Sequence, residues 1–270
     1  MRNRRDFLQA VAVTTGAMLA GHTPSTWAQA ARRETHIGGR RVRVIDIHAH
    51  GAVEAVYPLT RGTPLERDMP RNRVLEGRID YMNERGIDIS VLSVNGYWWY
   101  DADHAHAADL IRAQDEGLSA WCARHPDRFV ALSSVALQFP ELAAEQLDYA
   151  VRELGLRGAS IGGHVHGEVP SSERFDPFWA KAEELDVPIF MHPDGAENVI
   201  REGGLDGRGD LGNIIGNPLE TSVFLSHLIF DGTLDRFPGL KVCGAHGGGY
   251  LPSYFGRTEV ACEVRSDAGC

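Results

Sequence analysis

The chain has 270 residues, with Lys+Arg 27 against Asp+Glu 37 and a formal net charge of −10. That length suits one large domain or two small ones, and 43% hydrophobic with 24% charged residues excludes wholesale disorder. The acidic balance argues against a nucleic-acid binder, which would carry a basic face.

The first segment reads as an address. Asn3-Arg4-Arg5-Asp6-Phe7-Leu8-Gln9 sets two arginines before an apolar run that reaches about Gly21, and Ala28-Gln29-Ala30 supplies small residues two apart. The pattern predicts a twin-arginine export signal over residues 1–30 and a periplasmic protein. The run falls short of the ~20 apolar residues of a membrane span, so stable membrane insertion is not expected. Residues 31–270 then form one domain, since no linker, repeat or low-complexity tract interrupts them.

Strand patterns follow at 42–47, 87–92, 129–132, 158–161, 187–191 and 240–243, each a short β-branched or apolar run. Between them lie helical periodicities, clearest in Leu142, Leu147, Ala150, Val151 and Leu154, with another expected from Leu219 to Phe237. Such alternation predicts parallel strands with crossover helices. An open doubly wound sheet would carry a glycine-rich phosphate loop after an early strand, and none follows the first strand here. Polar residues instead collect beyond the C-terminal ends of several strands, which favours a (β/α)8 TIM-type barrel. Only six of its eight strands can be counted, so strands seven and eight appear as missing. The four cysteines, Cys122, Cys243, Cys262 and Cys270, show no CxxC spacing and are expected to be small buried apolar side chains.

The chemistry lies in histidines. Asp46, His48 and His50 alternate along the first strand and share one face, with successive members about 6–7 Å apart. Two imidazoles so placed can converge on one cation with bonds near ~2.0–2.1 Å. His192 ends the fifth strand in Phe190-Met191-His192-Pro193, and His246 follows the sixth in Gly244-Ala245-His246-Gly247-Gly248-Gly249. Four imidazoles at one end of one sheet are hard to explain as packing. Nitrogen ligands with open positions suit Zn²⁺ or a similar divalent ion.

Taken with Gly162-Gly163-His164-Val165-His166-Gly167, Phe175-Asp176-Pro177-Phe178-Trp179 and the block from Asn217-Pro218-Leu219-Glu220-Thr221 to Arg257, these motifs make the chain resemble the amidohydrolase superfamily. The likeness is to the branch around aminocarboxymuconate-semialdehyde decarboxylase, and it spans about residues 42–258. The resemblance implies one metal held by His48, His50 and His192, with His246 as acid or base beside it. It implies a substrate-carboxylate contact for Arg257, supplied across a homodimer interface. His164 is expected to face the substrate as a donor, whereas His104 and His106 read as solvated. The aromatic run Tyr97-Trp98-Trp99-Tyr100 either walls the pocket or packs.

Two departures accompany the likeness. Many superfamily members bridge two metals with a carbamylated lysine, but the only lysines, Lys181 and Lys241, lie away from the fourth strand's end; a single ion is the consequence. The family's last ligand is an aspartate after strand eight, and Asp267 does not stand at a strand end, so a C-terminally truncated barrel is expected. The implied activity is nonoxidative decarboxylation of an unsaturated or aromatic carboxylic acid. Alternatives are hydrolysis of a lactone or amide, or an inactive truncated relative.

Overall fold

The structure, a computed structural model, describes residues 32–66, 77–96, 98–196, 198–265, 267 and 270. The export-signal pattern of residues 1–30 and Tyr97 of the aromatic run lie outside these described residues. No described helix is long and apolar enough to cross a membrane.

A hairpin of Thr35–Ile37 with Arg40–Val42 comes first, turned by Gly38 and Gly39, both with positive φ. Six parallel strands follow: β1 (Ile45–His50), β2 (Ile89–Ser93), β3 (Phe129–Ala131), β4 (Ala159–Ile161), β5 (Pro188–Met191) and β6 (Lys241–Gly244). β1, β2 and β3 pair side by side, as do β4, β5 and β6, and a parallel bridge between Ser133 and Ala159 links the two halves. Spatial order therefore equals chain order, the arrangement of a TIM-type barrel wall. Helices α1 (Arg78–Arg85), α2 (His104–Arg124), α3 (Pro140–Arg152), α4 (Asp176–Glu184) and α5 (Asn217–Phe230) separate successive strands, and α6 (Leu251–Val264) follows β6.

Local sequence explains the helix boundaries. The Asp103 side chain caps α2 by accepting from the His106 N–H at 2.9 Å. Pro140, Pro177, Pro218 and Pro252 open α3, α4, α5 and α6 in the first turn, where a missing N–H costs nothing. Gly86 closes α1 in the left-handed conformation. The helices bury Leu147, Trp179 and Phe224 against Ile161 and Ile189 of the sheet. A smaller cluster of Val91, Leu132, Phe190 and Ala245 fills the space between strands.

Three expectations are corrected. The first strand begins at Ile45 rather than Val42, because Val42 belongs to the hairpin, so His48 and His50 stand inside β1. The Leu219–Phe237 helix is broken at Gly232, whose φ of 75° ends α5 and starts a separate turn, Thr233–Arg236. Cys262 and Cys270 form a disulfide rather than a pair of buried thiols, and free Cys122 and Cys243 are half-buried.

Candidate metal centre

The ends of β1, β5 and β6 deliver four imidazoles to one place. The ring of His48 lies 4.6 Å from that of His192 and 5.2 Å from that of His246, and His50 lies 5.0 Å from His192. The Nε2 atoms of His48 and His50 are 3.0 Å apart. One nitrogen from each of His48, His192 and His246 falls within 4.8 Å of the others. Two ligands on one ion can be separated by about twice a ~2.1 Å bond, so these nitrogens, and His50 Nε2 beside that of His48, lie close to the span of one ion's ligand shell.

The electrostatics suit that use. Burial, reinforced by His50 and His246, pushes His48 down to about 4. Burial, reinforced by His48 and His50, pushes His192 down to about 3. His246 is also lowered by burial. At neutral pH these rings are therefore neutral, the form that donates a lone pair. His192 is also fixed in tautomer: its Nδ1–H donates to the Pro193 carbonyl at 2.7 Å, which leaves Nε2 as the ligating atom. Neutral nitrogens without a bridging lysine fit one divalent cation. Lys181 instead pairs with Glu184 and Lys241 with Asp186, both at the surface.

The β1 bases are held from behind. The Asp46 carboxylate accepts from the His48 backbone N–H at 3.1 Å, and Arg78 donates to the His50 carbonyl at 2.5 Å. His246 occupies a left-handed turn with φ of 54°, continued by Gly247, Gly248 and Gly249, all at positive φ. That run lifts His246 off the strand end instead of into a helix.

A cavity of about 340 Å³ lies beside the cluster, lined by Trp98, Trp99, Tyr100, His164, Asp194 and Asn198 among others. Trp98 reaches the metal centre, with its ring 6.0 Å from that of His192. Trp98, Trp99 and Tyr100 therefore wall the pocket. Two of these side chains are also anchored: Trp98 Nε1 donates to the Ser160 carbonyl at 3.0 Å, and the Tyr100 hydroxyl accepts from the Gly162 N–H at 3.0 Å. His164 Nδ1 accepts from the Gly167 N–H at 3.1 Å, so Nε2 carries the proton, and this buried Nε2 has no protein partner. Trp99 Nε1 and Asn198 Oδ1, on the same cavity, are likewise unpartnered.

Not every expected residue joins the site. Arg257 sits exposed on α6, which buries none of its residues. His104 is exposed, but His106 is half-buried and within 2.8 Å of the Leu59 carbonyl, so it is not a purely solvated side chain. The sequence reading assigned nothing to Glu220 or Arg78. Glu220 is buried in α5 and accepts from four backbone N–H groups at the ends of β4 and β5. Its signal was a lone carboxylate in the apolar helix Asn217–Phe230.

Comparison with known proteins follows the same lines. The family described as amidohydrolase matches residues 45–264. A 2-amino-3-carboxymuconate-6-semialdehyde decarboxylase from Dictyostelium discoideum is 34% identical over 197 residues, which cover 70% of this chain and 52% of that protein. A gamma-resorcylate decarboxylase from Rhodococcus jostii is 32% identical over 195 residues, covering 67% of this chain and 58% of that one. The chain thus spans between half and three-fifths of the length of these relatives. Among solved structures, a 5-carboxyvanillate decarboxylase from Novosphingobium aromaticivorans, complexed with manganese and a nitrobenzoic acid, superimposes with a TM-score of 0.72 at 27% identity, covering 84% of this chain and 72% of that one.

Proposed function

The chain belongs to the amidohydrolase family, in the aminocarboxymuconate-semialdehyde decarboxylase branch, and from that premise we propose a metal-dependent nonoxidative decarboxylase of an aromatic or unsaturated carboxylic acid. The observation that carries the reading is the convergence of His48, His50, His192 and His246 at the strand ends beside an aromatic-walled cavity. His48, His50 and His192 hold the ion. Bound there, a divalent cation supplies Lewis acidity that offsets the substrate's negative charge. Trp98, Trp99 and Tyr100 shed water from the substrate ring, and His164 donates its Nε2–H to a substrate oxygen. His246, neutral at rest, takes up a proton from water and passes it to the carbon that loses the carboxylate; the carbon–carbon bond pair becomes the new carbon–hydrogen bond, CO₂ departs and His246 returns to its neutral form.

Neutral imidazoles favour Zn²⁺, whereas manganese is the ion in the Novosphingobium neighbour. Elemental analysis of the purified protein decides between them and tests the site: one ion per chain is expected, lost in the His48→Ala/His50→Ala double variant. Two ions per chain, or full retention by that variant, would refute the ligand set. CO₂ release from hydroxybenzoate and carboxymuconate probes tests the reaction; lactone or amide hydrolysis without CO₂ would replace it.

The reading extends to assembly and location. Arg257 acts on a second copy's substrate, in keeping with its place on α6 beside the exposed Tyr254 and Phe255. Sedimentation should find a dimer that Phe255→Glu weakens; a monomer at every concentration removes this role. Export rests on the Arg4-Arg5 pair, the apolar run after it and Ala28-Gln29-Ala30. A periplasmic product whose N-terminus starts just after Ala30 is expected, and an uncleaved cytoplasmic product would refute it.

A further inference from the structure

Glu220 lies in the first turn of α5, is 1% exposed, and points at the loop that carries His192. Its Oε2 accepts from the N–H groups of Asp194 at 2.9 Å, Gly195 at 2.8 Å and Ala196 at 2.7 Å. Its Oε1 accepts from Gly163, just beyond β4, and again from Asp194, both at 3.1 Å. One carboxylate therefore ties together the ends of two neighbouring strands. The approach is close because Gly163 has no side chain: a Cβ there would stand 2.4 Å from Glu220 Oε1.

The connection to His192 runs through a single peptide unit. The N–H of Asp194 and the carbonyl of Pro193 belong to one planar amide. Its N–H donates to Glu220, and its carbonyl accepts the Nδ1–H of His192 at 2.7 Å. A carboxylate on the N–H side polarises the amide and makes its oxygen a stronger acceptor. A stronger acceptor at Nδ1–H fixes the ring and raises electron density at Nε2.

We propose that Glu220 is a positioning residue for the metal centre, which sets the orientation and basicity of His192 through the Pro193–Asp194 peptide. This rests on His192 being a metal ligand, as read above. Both carboxylate oxygens of Glu220 are taken up by backbone N–H groups, so its effect on the ion runs through His192. Among the described residues it is a buried carboxylate received by backbone donors, so an amide of the same shape removes the function with little change in packing. In Glu220→Gln, an NH₂ group faces N–H donors and at least two of the five contacts are lost.

The test is made on the full chain with ¹⁵N-labelled histidine. In metal-free protein the His192 Nδ1–H resonance, assigned by its absence in His192→Gln, reports the Pro193 hydrogen bond directly. Glu220→Gln should move that resonance upfield and speed its exchange with water at least ~10-fold, while the His48 signals hold. Gly163→Ala, which pushes Glu220 from the opposite side, should do the same and covers the case in which Glu220→Gln does not fold. Mn²⁺ added alone should bind roughly 10–100-fold more weakly to either variant. An unmoved His192 resonance well below the thermal transition, or a mere drop in melting temperature with Mn²⁺ affinity unchanged, would overturn the proposal. Wild-type protein that binds no Mn²⁺ or Zn²⁺ would instead refute the metal reading, leaving the metal-free resonance to decide the peptide link.

Discussion

His246 stands at the boundary between ligand and proton carrier, since one of its nitrogens lies within 4.8 Å of nitrogens of His48 and His192. As a proton carrier, its replacement by Ala should cost about 10²–10⁴-fold in turnover with metal content nearly intact. Parallel loss of metal and turnover would make it a ligand. A second residue-scale prediction concerns Asp115, buried in α2 and bonded to the Ser133 hydroxyl and to the Ser134 N–H at 3.1 Å. Burial pushes its carboxyl up to about 7. An acid raised on folding holds a proton that the unfolded chain has released, so its stabilisation is present below about 4 and is lost as pH rises to about 7. Asp115→Asn mimics the protonated form with the same two partners. Its stability relative to wild type in urea titrations should rise by roughly 1–3 kcal/mol between pH 5 and pH 8; a pH-independent difference would be the contrary result. The four histidines were legible in sequence because strand ends announce themselves by apolar runs. Asp115 and Glu220 were not, since nothing in a helix pattern says which carboxylate turns inward to meet backbone donors.

At the scale of elements, all six parallel strands were readable within a few residues, because a buried β-branched run has few other uses. What failed were breaks set by one residue, at Gly232 and between Val42 and Ile45, where periodicity continues across a change of direction. Glycine geometry also separates two substitutions that look alike in sequence. A Cβ at Gly232 would find its nearest atoms at 3.8 Å, so Gly232→Ala meets only the left-handed φ, about 1–2 kcal/mol. At Gly158, just before β4, a Cβ would stand 2.0 Å from the Pro188 carbonyl of β5. Gly158→Ala must therefore part β4 from β5, and should cost about 3 kcal/mol or more and weaken metal binding. Equal melting temperatures for the two variants would contradict the packing described.

For the whole molecule, the barrel class followed from alternation, whereas the shape of the site did not. Residues far apart in sequence meet only because β1 and β6 lie in one continuous wall with β5 beside them. Composition carries no trace of that closure. The Cys262–Cys270 disulfide was equally hidden, because two of four scattered cysteines without CxxC spacing give no sign of which pair.

The separation of His48 and His50 from His192 along the chain has a kinetic consequence. A folding chain must bring the strand of His48 and His50 to the end of the strand before His192 before their nitrogens can share an ion, and such closure comes late in proteins dominated by distant contacts. The cation is thus captured after the rate-limiting crossing, and its binding energy belongs to the finished state alone. Saturating Mn²⁺ or Zn²⁺ should slow unfolding in denaturant jumps by the full factor of its stabilisation and leave the refolding rate unchanged. The ion would act as a latch on a door already shut, lengthening the life of the folded protein without hastening its birth.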